Sequence, residues 1–238
     1  MGKNIISQAR GKGGPRYRSP SFNYIGKAGL KIQNKFEQTE GTVMDIVHCR
    51  GHSAPLALIK YNDGEENLLI ASEGLSVGDK MMSAAQEPGL SNIMQLKDIP
   101  EGTLIFNVES QPGDEGKFAR ASGTFAKIIG KTPAGIFVML PSKKKRMFDP
   151  NCRANIGIVA GGGRTDKPFL KAGFMFHHMR QKNKLWPQSS GCKMNAVDHP
   201  FGNKRSLRKS KARPVSRDAP PGRKVGMVAP RRTGRKKR

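Results

Sequence analysis

The stretch PLALIKYNDGEENLLIA, residues 55–71, decides the fold of the first half of the chain. Its two apolar runs, 55–61 and 67–71, have the length and side-chain composition of short strands. Asn62-Asp63-Gly64 stands between them and is a turn signal for a β-hairpin. The stretch therefore predicts two neighbouring strands joined by a tight turn.

Further strand signals lie on both sides of this hairpin. Residues 41–48 form a run rich in β-branched side chains, Gly78-Asp79-Lys80 opens another run, and 102–108 follows the turn at 99–102. Five short strands separated by turn residues fit a small barrel, and an OB-type barrel is one such arrangement. The spacing alone does not separate it from other small barrels.

A second group of strands follows. The runs 123–129, 134–140, 145–148 and 155–159 are short, close together and separated by turn residues, which favours another small barrel of SH3-like size. The pattern ends after Gly161-Gly162-Gly163. Residues 171–184 have room for one short helix. The predicted fold class is therefore mostly β, with two small barrels in succession.

Charge is distributed very unevenly along the chain. The net charge is +25, yet residues 36–115 hold four Lys/Arg against fourteen Asp/Glu. Residues 1–35 hold eight Lys/Arg and no acid, 116–198 hold sixteen Lys/Arg and three acids, and 199–238 hold fifteen Lys/Arg and one acid. We predict four segments: a basic N-terminal arm (1–35), an OB-like barrel (36–115), an SH3-like barrel with a basic extension (116–190) and an extended basic C-terminal tail (191–238).

The two arms lack the apolar content to fold alone. Residues 11–20 and the last 35 residues show no apolar periodicity and contain many Gly and Pro. Burial there cannot offset roughly 1–2 kcal/mol of backbone entropy per residue. Because Arg matches phosphate oxygens and Gly allows close backbone approach, we expect the arms to become ordered on a polyanion.

Nucleic acid is the expected polyanion. An anionic membrane is the other candidate, but the sequence has no apolar run of about 18 residues, no amphipathic basic helix and no signal-peptide region at its N-terminus. The three cysteines are far apart and unpaired in spacing, which favours a reducing compartment. We expect an RNA-binding protein and no membrane partner.

Four local patterns could suggest a metal site, a nucleotide site or a catalytic pair, but each is only a weak signal for such a site. His48, Cys49 and His52 lack the second ligand pair of a zinc site. Gly161-Gly162-Gly163-Arg164 lacks the ending of a nucleotide phosphate loop. Ser122 and His199 have no nucleophile-elbow motif around them. His177-His178 suits a surface or stacking role. We therefore expect no metal, no cofactor and no catalytic residues.

Several segments resemble one family. Met194-Asn195-Ala196-Val197-Asp198-His199-Pro200-Phe201-Gly202 is similar to the signature of the universal large-subunit ribosomal protein family L-two. The segments 116–123, 140–142, 152–157, 161–173, 217–226 and 232–235 resemble further parts of that family, in the same order. Phe201 after His-Pro, and the form of the tail, are closer to archaeal and eukaryotic members than to bacterial ones.

The resemblance implies an OB-fold domain, an SH3-like barrel and arms embedded in large-subunit ribosomal RNA. It also implies roles in subunit association, tRNA placement and assembly of the peptidyl-transferase region, in the cytoplasmic ribosome. Its implied partners are that RNA, other large-subunit proteins and small-subunit bridge contacts. In the family, the histidine that matches His199 has been proposed to support peptidyl transfer; we expect an architectural role.

Charge and resemblance together predict the RNA-binding residues. They are Arg10, Lys12, Arg16, Arg18, Arg120, Arg146, Arg153, Arg164, Lys167, Lys171, Met194, Asn195, Asp198, His199, Pro200, Phe201, Arg223, Lys224, Arg231 and Arg232. The chain departs from the family at Ser189-Ser190-Gly191-Cys192-Lys193 and at Asn203-Lys204-Arg205.

Two rival functions remain for comparison. A free RNA chaperone or single-strand binder would need exposed aromatic platforms, for which Phe22, Tyr24 and Phe36 are the visible candidates. An RNA-acting enzyme would need a convergent acid–base or metal cluster, which the sequence does not suggest.

Overall fold

The hairpin at residues 55–71 forms as predicted in the computed structural model, which describes residues 2–32, 37–203 and 214–232. Leu56–Tyr61 pairs antiparallel with Glu66–Ile70. Gly64 has a φ of +86° and its amide donates to the Tyr61 carbonyl, so the turn uses the conformation that glycine adopts without strain. Asp63 Oδ1 accepts a hydrogen bond from the Glu65 amide at 3.1 Å and closes the turn.

The described residues contain two α-helices and twelve strands. The helices are α1 (Ile6–Gly11) and α2 (Ala172–Gln181). The strands are β1 (Thr39–Val47), β2 (Leu56–Tyr61), β3 (Glu66–Ile70), β4 (Lys80–Ser83), β5 (Ile93–Gln95), β6 (Leu104–Phe106), β7 (Ala126–Thr132), β8 (Gly135–Met139), β9 (Lys145–Phe148), β10 (Arg153–Ile156), β11 (Pro214–Val215) and β12 (Met227–Val228). The mostly β fold, an OB-like barrel followed by an SH3-like barrel, is confirmed, as is the short helix within 171–184.

The sheet order shows how the two barrels are joined. Strands β1 to β10 are hydrogen-bonded in the order β3-β2-β1-β4-β5-β10-β6-β7-β8-β9. Strand β10 pairs with β5 on one side and with β6 on the other. Strand β5 is not predictable from the sequence, because its three residues are too few to show a period. The prediction that the run 102–108 belongs to the first barrel is corrected by the pairing of β6 with β7 and β10.

Each barrel has its own apolar core. Val43, Ile59, Leu69 and Met81 are buried together in the first barrel. Ile105, Ile128, Val138 and Phe148 belong to the second core, together with Met94 from β5. Strand β5 therefore contributes to both cores, since its Ile93 lies in the first. In β1, Gly41 is required by packing, because a Cβ there would lie 2.6 Å from Ile59 Cγ2.

Residues 28–31 pack against the barrels, while Phe22, Ile25 and Ile32 are exposed. Ala28 and Leu30 are buried, and Leu30 belongs to the first core. The Gly29 amide donates to the Leu68 carbonyl and the Leu30 amide to the Glu115 carbonyl, each at 3.0 Å. Lys31 is buried and its ammonium pairs with Asp63 and Glu65 while lying 4.6 Å from the Tyr61 ring centroid. Burial of these apolar residues explains why this part of the basic segment is held on the barrels.

Contacts divide the chain into two compact units, Ser21–Pro168 and a second unit made of Met1–Pro20 with Phe169–Arg238. In the second unit, only Ile5, Pro20 and Gly202 are buried among the described residues. Helix α2 has no buried residue, and β11 pairs in parallel with β12 over two residues each. This unit therefore has little apolar burial of its own.

Some predicted features fall outside the described residues. Lys204 and Arg205, where the chain departs from the family, are among them, as is Phe36, the third candidate platform for bases. The proposed boundary between residues 35 and 36 also lies there. Within the described part of the chain, neither helix is long and apolar enough to cross a membrane.

Candidate nucleic-acid interface

The edge strand of the second barrel presents a run of cations. Lys143, Lys144, Lys145 and Arg146 are all exposed, and Lys143, with a φ of +62°, turns the chain into β9. Among the described strands, β9 lies at the end of the sheet, beside β8. Lysines on an edge strand discourage pairing with another strand, and in this position they can neutralise phosphates.

Aromatic rings hold the guanidinium of Arg146. Its central carbon lies 4.7 Å from the Phe118 ring centroid and 5.2 Å from that of Phe148. The two rings meet edge to face, with centroids 5.3 Å apart. Cation–π contacts of this kind restrict the side chain while leaving its planar donors available. Arg146 is therefore oriented before any phosphate arrives.

Three loops of the barrel unit meet at a second basic surface. The Ser122 amide donates to Ser53 Oγ at 3.1 Å, and Arg164 Nε donates to Ser122 Oγ at 3.2 Å. Gly123 has a φ of +69° and lies against the backbone of Gly162, where a Cβ would clash. The loops 49–55, 120–124 and 160–164 are thus fixed to one another.

Arginines and one histidine line this three-loop junction. Arg164 is exposed, and Arg120 is half-buried because its guanidinium donates to the carbonyls of Gly116 and Ala28. Burial lowers the pKa of the Arg120 guanidinium, with Glu115 and Asp114 opposing that shift. Arg50 is exposed in the first of the loops.

His52, which the sequence does not mark as functional, also belongs to the junction. Its Nδ1 is buried without a hydrogen-bond partner among the described residues, and burial together with nearby Arg120 lowers the pKa of the imidazole. Cys49 is buried and free, and no group of three or more His, Cys, Asp or Glu in the described chain is placed to hold a metal. A single histidine in a turn gives no sequence signal that it will lie at a junction of loops. The contacts between the loops show that His52 lies there.

Arg153 has a different role from the one predicted. Its side chain is 7% exposed, and Nε and Nη2 donate to Glu109 Oε1 at 3.0 and 2.6 Å. Its Nη1 donates to the Lys31 carbonyl at 2.7 Å. These buried contacts place Arg153 in the structural interior rather than on a surface that meets RNA, because β10 is the central strand between β5 and β6.

The segment 194–202 forms a compact series of turns. The amides of Asp198 and His199 both donate to the Asn195 carbonyl, and the Gly202 amide donates to the His199 carbonyl at 2.8 Å. The Phe201 amide donates to His199 Nδ1 at 3.0 Å, and the two rings lie 5.3 Å apart. Gly202 packs directly on the backbone of Asn195, so any side chain there would clash.

His199 lies beside a cavity of about 360 Å³ in the same unit. Gly191 packs against the imidazole, and Arg10, Met194 and Asp198 also line the cavity. The structure therefore brings Arg10 together with Met194, Asp198 and His199, from which it is far removed in the sequence. Since His199 Nδ1 already accepts a hydrogen bond, a neutral ring presents Nε2 as a donor.

The remaining predicted residues lie on the surface. Those that are exposed include Lys12, Arg16, Arg18, Lys167, Lys171, Asn195, Pro200, Arg223, Lys224, Arg231 and Arg232, while Phe201 is half-buried. Lys167 belongs to the barrel unit, and most of the others belong to the second unit. Exposure leaves them accessible to a polyanion.

Most acidic residues of the segment 36–115 are exposed or paired with lysine, whereas Glu109 is buried against Arg153. Glu40 pairs with Lys80 at 2.8 Å, and this contact lowers the pKa of Glu40 and raises that of Lys80. Glu115 pairs with Lys27 at 2.7 Å. These acids make the surface of the first barrel, outside the loop that carries Arg50, less suited to phosphate than the surface of the second barrel.

Comparison with known proteins identifies the family. Residues 4–83 match the family model described as "Ribosomal Proteins L2, RNA binding N-terminal domain", and residues 89–219 match "Ribosomal Proteins L2, C-terminal domain". A protein of Archaeoglobus fulgidus named "Large ribosomal subunit protein uL2" is 52% identical over 235 residues, covering 98% of this chain and 99% of that one. Proteins of the same name from Methanopyrus kandleri and Natronomonas pharaonis are 47% and 49% identical, covering 99% of this chain and 98% and 97% of theirs.

Both family models and full-length relatives thus agree with the fold described above. The chain belongs to the L2 family of ribosomal proteins.

Proposed function

We propose that this protein is a structural constituent of the large ribosomal subunit that binds large-subunit ribosomal RNA as a scaffold. The observation that carries the proposal is the second unit: only three of its described residues are buried, while its predicted cations are exposed. Such a segment gains little from its own core and much from neutralised phosphates. Family membership supports the same assignment.

RNA binding begins with charge. The arms neutralise phosphates and release counterions, and they become ordered between RNA helices. The second barrel contributes Arg146 and the three-loop junction with Arg120 and Arg164. We propose the four predicted segments as functional parts. The segments 1–35 and 191–238 are RNA-embedded arms, except that residues 28–31 are anchored on the barrels. The segment 36–115 is the OB-like barrel, except that β6 pairs within the second barrel, and 116–190 is the SH3-like barrel with its basic extension, which faces RNA.

The role in translation follows from this placement. We propose that the protein supports subunit association, tRNA placement and assembly of the peptidyl-transferase region in the cytoplasmic ribosome. Its further partners are other large-subunit proteins, which suit the acidic first barrel, and bridge contacts to the small subunit. No membrane takes part.

We also propose that the protein is not an enzyme. Ser122 Oγ accepts a hydrogen bond from Arg164, which suits a structural hydroxyl and not an activated nucleophile. His199 Nδ1 accepts from the Phe201 amide in a local turn, which suits an architectural role for the ring.

Truncation and sedimentation test this function. Deleting residues 199–238 removes fifteen Lys/Arg and leaves both barrels complete. The full chain should sediment in stoichiometric amount with large subunits in high-salt gradients, and the truncated chain should fold but fail to remain bound. Normal incorporation of the truncated chain, or a full chain that leaves the subunit at high salt, would contradict the proposal.

A further inference from the structure

A basic and aromatic cavity in the second unit has no role in the account so far. Its volume is about 390 Å³, within the range of sites that hold small organic groups. Its lining consists of three aromatic rings (Tyr17, Phe176, Trp186), three cations (Arg16, Arg180, Lys184) and Asn183 with Leu185. None of these lining residues is acidic.

The cavity is built by the end of α2 and an N-terminal turn. Asn183 has a φ of +49° and its amide donates to the Arg180 carbonyl at 3.1 Å, which ends the helix and reverses the chain. The Lys184 amide then donates to the Met179 carbonyl at 3.0 Å. Residues 184–186 are thereby returned alongside Phe176.

One hydrogen bond fastens the N-terminal turn to this helix end. Asn183 Nδ2 donates to the Arg18 carbonyl at 2.9 Å. Within the turn, the Tyr17 amide donates to the Gly14 carbonyl and Arg18 Nε donates to the Gly13 carbonyl at 2.6 Å. Arg16 and Tyr17 therefore reach the cavity on a braced loop.

We propose that this cavity binds one unstacked base of the ribosomal RNA, with the phosphate of the same nucleotide held by the surrounding cations. The inference rests on the proposed function and adds a site to it. Aromatic rings in a positively charged groove are the arrangement by which proteins bind unpaired bases, and each stacked base contributes about 1–3 kcal/mol. Phe176 is 41% exposed, so its ring is open to a partner.

A duplex fits these features poorly. In A-form RNA the bases are stacked on one another and offer their faces to no side chain, so three rings in one cavity would contact only backbone. Phosphate alone would use the cations and leave the rings without a role. The combination of both groups favours a nucleotide that has left the helix.

The single tryptophan provides the test. Trp186 is the only tryptophan of the chain, so indole fluorescence reports on this cavity alone. Binding of the full chain to large-subunit ribosomal RNA should quench that emission through stacking. The double variant Tyr17→Leu with Phe176→Leu keeps the indole and should lose most of the quenching, while filter binding still shows salt-dependent association.

Phe22→Leu serves as the matched control, because Phe22 is 86% exposed and belongs to the other unit. This variant should be quenched like the unaltered chain. A blunt RNA duplex with the same number of phosphates should bind through charge without quenching.

Three results would overturn the inference: emission unchanged in a complex that filter binding shows to be formed, equal quenching in the double variant, or equal quenching by the duplex. The first leaves the proposed function standing, because RNA is still bound. A chain that binds no ribosomal RNA would overturn both proposals.

Discussion

Arg153 of β10 and Glu109, which lies in the segment after β6, form a buried ion pair in the barrel unit, with Nη2 and Oε1 2.6 Å apart and side-chain exposures of 7% and 0%. The Arg153 amide also donates to Glu109 Oε2 at 2.8 Å, and Nη1 reaches the Lys31 carbonyl. The pair thus connects β10, the end of β6 and the N-terminal segment. Its partners leave the guanidinium no free face for RNA.

Glu109→Gln should destabilise the folded protein strongly. The substitution leaves the Arg153 charge buried without compensation, which costs about 3–5 kcal/mol. Chemical denaturation monitored by circular dichroism measures the change. Glu115→Gln is the control, because its partner Lys27 is 73% exposed and such a pair contributes only about 0–1 kcal/mol. Equal midpoints for the two variants would contradict the prediction.

Acid should weaken the attachment of the segment 28–31. The hydrogen bond from Lys31 lowers the pKa of Asp63 below its ordinary value of 3.8, with the Glu65 amide assisting. A lowered folded pKa means that this stabilisation is present above that ordinary value and is lost as pH falls through the folded pKa.

Asp63→Asn should therefore make the loss of stability at low pH smaller than in the unaltered chain. In a plot of stability against pH, the acid limb of the variant should be flatter. Thermal unfolding measured between pH 2 and pH 6 tests this prediction. This range extends about two pH units on either side of the ordinary pKa of an aspartate. Asp98→Asn, at an exposed turn, is the matched substitution. An acid limb that is the same in all three proteins would show that the Lys31–Asp63 contact contributes nothing.

Arg146→Lys should weaken binding to large-subunit RNA by a few-fold while preserving its salt dependence. Lysine keeps the charge but loses the planar fork and much of the contact with Phe118 and Phe148, worth about 0.5–1 kcal/mol. Arg146→Ala should also reduce the magnitude of the slope of log affinity against log salt by about 1, which corresponds to the loss of one phosphate contact. Filter binding at several salt concentrations distinguishes the two effects. Lys144→Arg, which keeps an exposed cation, should change neither.

Gly123→Ala should disturb both stability and RNA binding. The positive φ and the backbone of Gly162 leave no place for a Cβ, so we expect a loss of about 1–3 kcal/mol and displacement of Ser122 and Arg164. Gly130→Ala is the control, since the nearest atom to its Cβ would be Glu101 Oε1 at 3.9 Å. Calorimetry measures the stability of both variants, and filter binding measures their RNA affinity. Unaltered RNA affinity in a destabilised Gly123→Ala protein would show that the three-loop junction does not contribute to RNA binding.

Much of the fold was predictable because it follows from local patterns. The hairpin at 55–71, the strand runs of both barrels and the helix within 171–184 each carry their own period and turn residues. Strand β5 does not, because three residues are too short for a period, and its pairing with β10 depends on contacts nearly sixty residues away. Helix α1 was likewise missed, since it has no buried face.

The basic character of the candidate RNA-binding surface was predictable from the sequence, but the residues that form it were only partly predictable. Charge density identified the exposed cations of the arms and Arg146 in β9. It could not separate Arg146, held over two rings, from Arg153, buried against Glu109. It also missed Tyr17, Phe176 and Trp186 as one group. Tyr17 lies far from the other two in sequence, and Phe176 and Trp186 are brought side by side by the turn at Asn183.

The amino-acid sequence alone determined that two small β barrels stand between basic ends and that the partner is a polyanion, because composition, periodicity and net charge are sums over residues that need no neighbours. Which arginine faces RNA, which loops meet at Gly123 and Gly162, and which rings share a cavity were decided only by the tertiary structure. Those properties depend on distances and burial between residues remote in the chain, and local pattern carries no information about them.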